Sequence, residues 1–244
     1  MALGGFGPLT IEGCTLSKGN ASHSGSAYYQ LDGTCTMSNS ILWGNGGAAP
    51  SDLALVSGTL NVSYCDIEGG WPGAGNVDLD PLFASATNTL LASNSPLIDI
   101  GDPAVSGGLD LTGTPRALDG NLDLVQRTDI GAQEFAPVRI AMTGVPSAGQ
   151  VVQFAATGTP GLLARIVAGA PGAGLTIPPY GTLLVDPFLP MAAVAPFTLL
   201  PYSVSPTLPP TLPVGTVLTV QAFGIQFSNA AGAFSNRIQF EVQP

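Results

Sequence analysis

The chain repeats, with substitutions, the stretch Leu9-Thr-Ile-Glu-Gly-Cys-Thr-Leu-Ser-Lys-Gly19 at residues 35–45 and again at residues 60–70. The second copy reads Cys-Thr-Met-Ser-Asn-Ser-Ile-Leu-Trp-Gly-Asn and the third reads Leu-Asn-Val-Ser-Tyr-Cys-Asp-Ile-Glu-Gly-Gly, at offsets of 26 and 25 residues. Each copy ends with Gly or Asn, which accept the left-handed backbone conformation that a sharp corner requires. A period of this length is typical of one coil of a parallel β-helix, so we expect equivalent side chains to stack in columns.

The three cysteines occupy repeat positions rather than a disulfide or metal pattern. Cys14, Ser40 and Cys65 fall in one column, and Cys35 falls in another. Adjacent strands lie about 4.8 Å apart, so two coils separate Cys14 and Cys65 by more than the Cα distance of about 7 Å that a disulfide tolerates. The sequence therefore predicts free, buried and unreactive thiols.

Composition excludes several structural classes. Hydrophobic residues make up 45% and charged residues 9% of the 244 residues, with 32 Gly and 22 Pro. Gly and Pro are poor helix formers, and a disordered chain has few apolar residues and many charges. We therefore expect an all-β protein with many turns. No apolar stretch is long enough to span a membrane, and Met1 is not followed by a signal sequence, so we expect the chain to begin within an array of coils.

The charge distribution predicts two domains. Residues 1–136 carry 14 acidic and 3 basic side chains, whereas residues 137–244 carry 2 acidic and 3 basic side chains. We assign residues 1–136 to the coils and an acidic cap, and residues 137–244 to a C-terminal β domain. The basic residues are scattered singly, which disfavours nucleic acid as a partner, and divalent cations are better suited to the acidic half.

The second domain has the pattern of an antiparallel β-sandwich. Short apolar or alternating runs, separated by turn residues, cover residues 139–142, 151–155, 162–167, 182–185, 216–223 and 237–242. The segment Pro201–Pro213 is rich in proline, and we expect it to form an extended connection rather than a central strand.

Residues 69–134 lose the repeat while keeping regular apolar positions, and we expect this capping segment to cover the last open coil. Its acids are interleaved with Arg116 and Arg127, which predicts structural ion pairs across the segment. These acids are Asp99, Asp102, Asp110, Asp119, Asp123, Asp129 and Glu134.

Six motifs in order resemble a known group of proteins. They are Asn39-Ser-Ile-Leu-Trp-Gly-Asn45, Tyr64-Cys-Asp-Ile-Glu-Gly-Gly70, Gly75-Asn-Val-Asp-Leu-Asp-Pro-Leu-Phe83, Asn94-Ser-Pro-Leu-Ile-Asp-Ile-Gly101, Thr114-Pro-Arg116 and Thr128-Asp-Ile-Gly-Ala-Gln-Glu134. Together they resemble the C-terminal region of bacterial right-handed parallel β-helix surface proteins, which include polymorphic-outer-membrane-protein-like and choice-of-anchor groups. The ending of the chain, with Gln221, Ser235-Asn236 and the final predicted strand, resembles C-terminal domains that follow secreted repeat proteins in planctomycete-like bacteria. The resemblance implies a right-handed coil, an extracellular or cell-surface location and no single catalytic activity. Because the family's β-helix is usually much longer, it also implies that this chain is a fragment.

One acidic run has the spacing of a cation site. Asn76, Asp78 and Asp80 alternate with Val77 and Leu79, so in an extended chain the three polar side chains share one face while the two apolar ones point into the core. Hard oxygen ligands of flexible geometry suit Ca²⁺. The candidate ligands are Asp66, Glu68, Asn76, Asp78 and Asp80. The alternative is that these acids cap turns by accepting backbone N–H groups.

Aromatic side chains offer a second candidate site. Trp43, Trp71 and Tyr64 could form a platform for stacking sugars if they project from one face of the coils, and the alternative is that they pack corners. His23, the one histidine, lies among Ser and Gly, where an exposed turn residue is expected rather than a general base. No GxSxG motif occurs in the chain.

Two classes of function remain open from the sequence. The first is a structural, adhesive or carbohydrate-contacting surface protein whose partner is a polysaccharide or a cell-surface glycan. The second is a cation-assisted hydrolase or lyase that acts on polysaccharide, ester or phosphoester substrates from the acidic face, which rests on fold analogy alone. An open first coil near residues 4–10 further predicts self-association.

Overall fold

A computed structural model of the chain describes residues 2–3, 8–21, 25–47, 52–105, 107–159, 161–177, 180–226, 228 and 230–244. Within these ranges the protein is all-β, and no helix is present. The chain divides into two compact units. Unit 1 comprises residues 1–112 and 127–135, and unit 2 comprises residues 113–126 and 136–244. A short part of the expected capping segment thus belongs to the second unit.

Unit 1 is built largely from short parallel strands. Its strands are β1 Ala2–Leu3, β2 Leu9–Glu12, β3 Thr15–Ser17, β4 Asn20–Ala21, β5 Tyr28–Gln30, β6 Thr34–Ser38, β7 Ile41–Trp43, β8 Gly46–Gly47, β9 Leu53–Leu55, β10 Thr59–Ser63, β11 Asp66–Ile67, β12 Phe83–Ser85 and β13 Asn88–Leu91. They form three three-stranded parallel sheets, β1–β5–β9, β2–β6–β10 and β3–β7–β11, and a two-stranded parallel sheet, β4–β8. Only β12 and β13 pair as an antiparallel hairpin in the described part of this unit.

The strand registers are those that the repeat predicts. Met37 pairs with Ile11 on one side and with Val62 on the other. Leu42 likewise pairs with Leu16 and with Ile67. Each sheet therefore brings together residues one repeat apart, and the apolar columns follow from the sequence offsets.

The apolar columns form one buried cluster. Their fully or largely buried side chains are Ala27, Tyr28, Cys35, Met37, Leu42, Leu53, Val62, Cys65 and Ile67. All three cysteines are free, as predicted, but Cys14 is half-buried, so the expectation of burial holds only for Cys35 and Cys65. The Sγ of Cys65 donates to the carbonyl of Ser63 at 3.3 Å, and burial raises the pKa of this thiol to about 12. Ser40 separates the two outer thiols of the column, and its Oγ accepts the N–H of Cys14 at 3.1 Å.

An asparagine joins the first two copies of the repeat at one corner. The Oδ1 of Asn45 accepts the N–H of Gly19 at 2.7 Å, and its Nδ2 donates to the carbonyl of Leu16 at 2.9 Å. The same Nδ2 donates to Oδ2 of Asp52 at 2.8 Å. The corner is therefore held by side-chain bonds in addition to the backbone ladder.

Residues 128–135 form hydrogen bonds with the first two copies of the repeat. The N–H of Gly131 donates to the carbonyl of Asn39 at 2.9 Å, and the N–H of Ala132 donates to Oγ1 of Thr15 at 3.1 Å. These bonds reach the first and second copies of the repeat rather than the third. The last copy is instead extended by residues 71–79, since Val77 forms a parallel bridge with Asp66. The expectation that the whole capping segment covers the last coil is therefore wrong for residues 128–135.

Unit 2 contains mainly antiparallel strands. They are β14 Val138–Thr143, β15 Gln153–Gly158, β16 Leu163–Gly169, β17 Pro171–Thr176, β18 Thr182–Val185, β19 Ala192–Ala193, β20 Thr198–Leu199, β21 Tyr202–Val204, β22 Val217–Ile225, β23 Gly232–Phe234 and β24 Ile238–Glu241. Sheet β14–β15–β21 and a six-stranded sheet built around β16 and β22 share one apolar core. Pro201–Pro213 contributes only the short edge strand β21, in keeping with its proline content.

A buried glutamine fixes the β17–β18 hairpin to the six-stranded sheet. The Oε1 of Gln221 accepts the N–H of Leu184 at 2.8 Å. Its Nε2 donates to the carbonyls of Thr182 and Ser235, each at 3.0 Å. All the hydrogen-bonding capacity of the amide except one lone pair is thus used inside the unit.

Candidate functional site

The outer face of sheet β3–β7–β11 carries the candidate site. Thr15, Ile41 and Asp66 are cross-strand neighbours in this sheet. Successive side chains of a strand point to opposite faces, so these three share the face opposite to the buried interior column. Ile41 packs there against a second apolar cluster, which includes Leu97 and Ile130. Both faces of the sheet are therefore covered near Asp66.

A groove lies at one end of this face. It has a volume of about 360 Å³ and lies between the corner after β3 and β7 and the β12–β13 hairpin. The lining side chains used below are Lys18, Trp43, Asp80, Phe83, Ser85 and Thr89. Trp43 is half-buried, pairs with Ser17 across the sheet and packs in part against the second apolar cluster. It therefore presents a fixed aromatic wall to the groove.

The polar lining of the groove can both donate and accept hydrogen bonds. Lys18 is the only lysine in the sequence, and it is exposed, with its N–H bound to the carbonyl of Gly44 at 3.3 Å. Asp80 is also exposed, and its Oδ1 accepts the N–H of Leu82 at 2.9 Å. An ammonium donor and a carboxylate acceptor beside an aromatic ring suit a ligand that carries hydroxyl groups on an apolar ring.

Asp66 is the most unusual acid of the unit. Its side chain is 0% exposed, and its Oδ1 accepts the N–H of Leu79 at 3.0 Å. Its Oδ2 has no hydrogen-bond partner in the described part of the protein. Burial raises the pKa of this carboxyl to about 7, and the charges of Asp78, Asp80 and Glu68 act in the same direction.

The neighbouring acids bind backbone N–H groups through one oxygen each. The Oδ1 of Asp78 accepts from Gly69 at 3.3 Å, and the Oε2 of Glu68 accepts from Gly44 at 2.8 Å. The predicted alternative of turn capping therefore describes these bonds. Within the described ranges, no three His, Cys, Asp or Glu side chains stand close enough together to hold a metal ion in their present rotamers.

Asn76 does not share the position of the aspartates. Its Oδ1 accepts the N–H of Cys65 at 3.0 Å, and its Nδ2 donates to the carbonyls of Val62 and Trp71. These bonds connect residues 71–76 to the third copy of the repeat and use both polar atoms of the Asn76 amide. The expected alternation also fails at Leu79, which is 42% exposed. Residues 78–80 belong to no strand, and the pairing with Asp66 is confined to the single bridge at Val77.

The three side chains of the predicted aromatic platform do not line one groove. Trp43 lines the groove, whereas Trp71 and Tyr64 are not among its lining residues. Trp71 packs against the interior cluster of the coils. Tyr64 lies against Gly75, where an added Cβ would come within 2.3 Å of the Tyr64 ring. The alternative of corner packing therefore describes these two side chains.

A second buried acidic pair was not identified as such from the sequence. Asp129 and Glu134 are both buried, and the Oε2 of Glu134 accepts the N–H of Asp129 at 3.0 Å. The Oδ1 of Asp129 accepts the N–H of Asp99 at 2.8 Å, and its Oδ2 accepts that of Phe135. Burial, followed by the charge of Glu134, raises the pKa of Asp129 well above its ordinary value. The expected ion pairs with Arg116 and Arg127 stay a prediction.

Some predicted features lie outside the described residues. His23 is one, and residues 4–7 of the proposed self-association edge are another. The described part of the chain contains no helix with the length and hydropathy needed to cross a membrane.

Comparison of the chain with protein-family models, with curated proteins and with solved structures gives no match. The groove and the acids around Asp66 are therefore interpreted from their own residues.

Proposed function

We propose that this chain acts as a bacterial secreted or surface-displayed protein that contacts carbohydrate through the Trp43 groove. We further infer that the three parallel sheets of unit 1 are the faces of a right-handed parallel β-helix and that unit 2 is a β-sandwich. The registers that join residues 25 and 26 positions apart support the first inference. The shared core of two antiparallel sheets supports the second.

One observation carries the binding proposal. The groove combines the wall of Trp43 with the opposite charges of Lys18 and Asp80 and with the hydroxyls of Ser85 and Thr89. A pyranose ring has an apolar face that packs on an aromatic side chain, and its equatorial hydroxyls both donate and accept hydrogen bonds. Because the charges of Lys18 and Asp80 offset each other, the groove favours neutral sugar units over polyanions.

The test is a glycan array on the full chain, followed by calorimetric titration with the best oligosaccharide. Trp43→Ala should weaken binding at least tenfold, which corresponds to about 1.4 kcal/mol. Phe188→Ala is the matched control, because Phe188 is an aromatic side chain of unit 2 that is 91% exposed. Equal affinity of the Trp43→Ala variant and the unaltered chain would exclude this groove as the binding site.

The hydrolase or lyase alternative stays a prediction of the sequence. It is tested in the same samples, by looking for shortened or unsaturated oligosaccharides after long incubation.

A further inference from the structure

The carboxyl of Asp66 is buried with one oxygen unused. Its Oδ1 is bound to the N–H of Leu79, and its Oδ2 has no partner among the described residues, although the side chain is fully removed from solvent. Buried polar atoms are almost always hydrogen-bonded, and an exception asks for an explanation such as a bound ion. The position of Asp66 in the column of Thr15 and Ile41 rules out rotation of its backbone into solvent without loss of the sheet pairing.

The charges around this oxygen are of one sign. Asp78, Asp80 and Glu68 all act on the Asp66 carboxyl. Lys18 is the only basic residue among residues 1–115. A buried carboxylate that faces other carboxylates must either take up a proton or be neutralised by a cation, because removal from water disfavours the bare anion.

The acids beside Asp66 have the freedom that a cation site needs. Asp78 and Asp80 are exposed, and each uses Oδ1 to accept a backbone N–H, from Gly69 and Leu82 respectively. These bonds do not use Oδ2 of either residue, and a shared ion would require a change of side-chain rotamer, because the present rotamers form no ion-binding group in the described part of the chain. Ca²⁺ accepts six to eight oxygen ligands in flexible geometry and tolerates several waters, whereas Mg²⁺ demands a near-ideal octahedron.

We propose that Asp66 is the buried anchor of a Ca²⁺ site that Asp78 and Asp80 complete together with water. Three carboxylates and water make a site of moderate affinity, with a dissociation constant on the order of 10⁻⁴ to 10⁻³ M, the range of extracellular modules. Because Asp66 pairs with Val77 and bonds to Leu79, the ion would fasten residues 77–80 to the last coil.

The experiment uses the full chain, stripped with chelator and titrated with CaCl₂ by calorimetry, with thermal unfolding followed in parallel. The unaltered chain should show saturable heat and a rise in Tm. Asp66→Asn keeps Oδ1 as the acceptor for Leu79 and removes the charge, so this variant should fold and lose at least tenfold in affinity for Ca²⁺. Asp32→Asn is the control, since it removes one charge from an exposed position of the same unit.

Several results would overturn the proposal. They are the absence of saturable Ca²⁺ binding to the unaltered chain, an unchanged affinity in Asp66→Asn, and an equal effect of MgCl₂ at matched ionic strength. Should Asp66→Asn fail to fold, Asp78→Asn at an exposed position provides the second variant, and it must also weaken the binding of Ca²⁺. Asp80 also lines the groove, but no saccharide is present in these titrations, so a failure of Ca²⁺ binding leaves the carbohydrate proposal to its own test.

Discussion

The side chain of Asn236 pairs with the backbone of Ile140 in the manner of a neighbouring strand. Its Oδ1 accepts the N–H of Ile140 at 2.8 Å, and its Nδ2 donates to the carbonyl of the same residue at 3.0 Å. One side chain thereby satisfies both backbone groups of a residue in the edge strand β14.

Asn236→Ala should therefore destabilise unit 2. The loss leaves two backbone groups without their partner, and we expect a reduction of about 1–3 kcal/mol in the free energy of unfolding. Asn236→Asp keeps the acceptor but sets a carboxylate oxygen against the carbonyl oxygen of Ile140, so it should also destabilise the unit. Urea unfolding followed by the near-ultraviolet signal of the tyrosines measures both, with the exposed Gln239→Ala as control. A loss no larger than that of the control would contradict this role for Asn236.

Asp129 and Asp66 should respond oppositely to replacement by asparagine. Both oxygens of Asp129 accept backbone N–H groups, from Asp99 and Phe135, so an amide nitrogen at this position faces a donor. Asp129→Asn should lower the free energy of unfolding by about 1–3 kcal/mol. The Oδ2 of Asp66 meets no donor in the described structure, so Asp66→Asn in calcium-free buffer should cause no such loss. Both tryptophans belong to unit 1, so their fluorescence measures the unfolding of this unit. Equal losses of unfolding free energy in the two variants would refute the predicted difference between Asp129 and Asp66.

The stability of unit 1 should carry a pH dependence from Asp129. In the folded chain its pKa is raised, first by burial and then by Glu134. Between the ordinary carboxyl pKa of about 4 and the raised value, the folded state holds a proton that the unfolded state has released. The contribution of Asp129 to the free energy of unfolding is therefore fully present at low pH and is lost as the pH rises through that interval.

This dependence is measured by chemical unfolding at several pH values above about 4. Asp129→Asn cannot titrate at this position, so subtraction of its pH profile from that of the unaltered chain should leave a curve that falls with pH. A difference curve that rises over the same interval would reverse the assigned direction.

Two glycine corners should differ in their tolerance of alanine. Gly58 and Gly44 both have positive φ, 88° and 67°, so alanine costs about 1–2 kcal/mol of backbone strain at either position. A Cβ at Gly58 would also lie 2.2 Å from the carbonyl oxygen of Gly33 in the preceding coil, whereas nothing lies within 4 Å of one at Gly44. Gly58→Ala should therefore lower Tm far more than Gly44→Ala, and similar Tm values would show that the coils do not approach so closely there.

The thiols should react at different rates. Burial raises the pKa of Cys65 to about 12, and the thiolate is the reactive form. Cys14 is only half-buried. Alkylation at about pH 8 should modify Cys14 in the folded chain well before Cys35 and Cys65, and all three in denaturant. Mass spectrometry of peptides gives the order, and early modification of Cys65 would mean that the last coil opens readily.

The repeat was sufficient to predict the strand registers of unit 1, because the offsets between Ile11, Met37 and Val62 directly encode which residues become neighbours. The strand β17 Pro171–Thr176 was missed, since its Pro and Gly residues argue against a strand locally and its pairing with β18 comes from tertiary contacts. The groove was missed as a whole for the same reason, because Trp43 acquires its partners from the distant β12–β13 hairpin.

The sequence indicates only part of the arrangement of acids around Asp66, and the cation site itself stays a prediction. The spacing of Asp78 and Asp80 identified two exposed carboxylates, and proximity in the chain suggested Asp66. The sequence could not show that the side-chain amide of Asn76 is hydrogen-bonded to the backbone of Cys65 and Val62. Nor could it show that one carboxyl oxygen of Asp66 has no hydrogen-bond partner in the described part of the chain. Both depend on the turn through residues 71–76, whose path is set by Trp71 and Gly75 rather than by any periodic pattern.

Residues 128–135 fix the distance between two successive copies of the repeat. They hold Thr15 in one repeat through Ala132 and Asn39 in the next through Gly131. A duplicated repeat inserted between these two anchor points would push them apart by one further strand spacing, about 4.8 Å, and one of the two bonds would break. Gene duplication can therefore add repeats elsewhere, whereas these two bonds fix the interval between the first two copies.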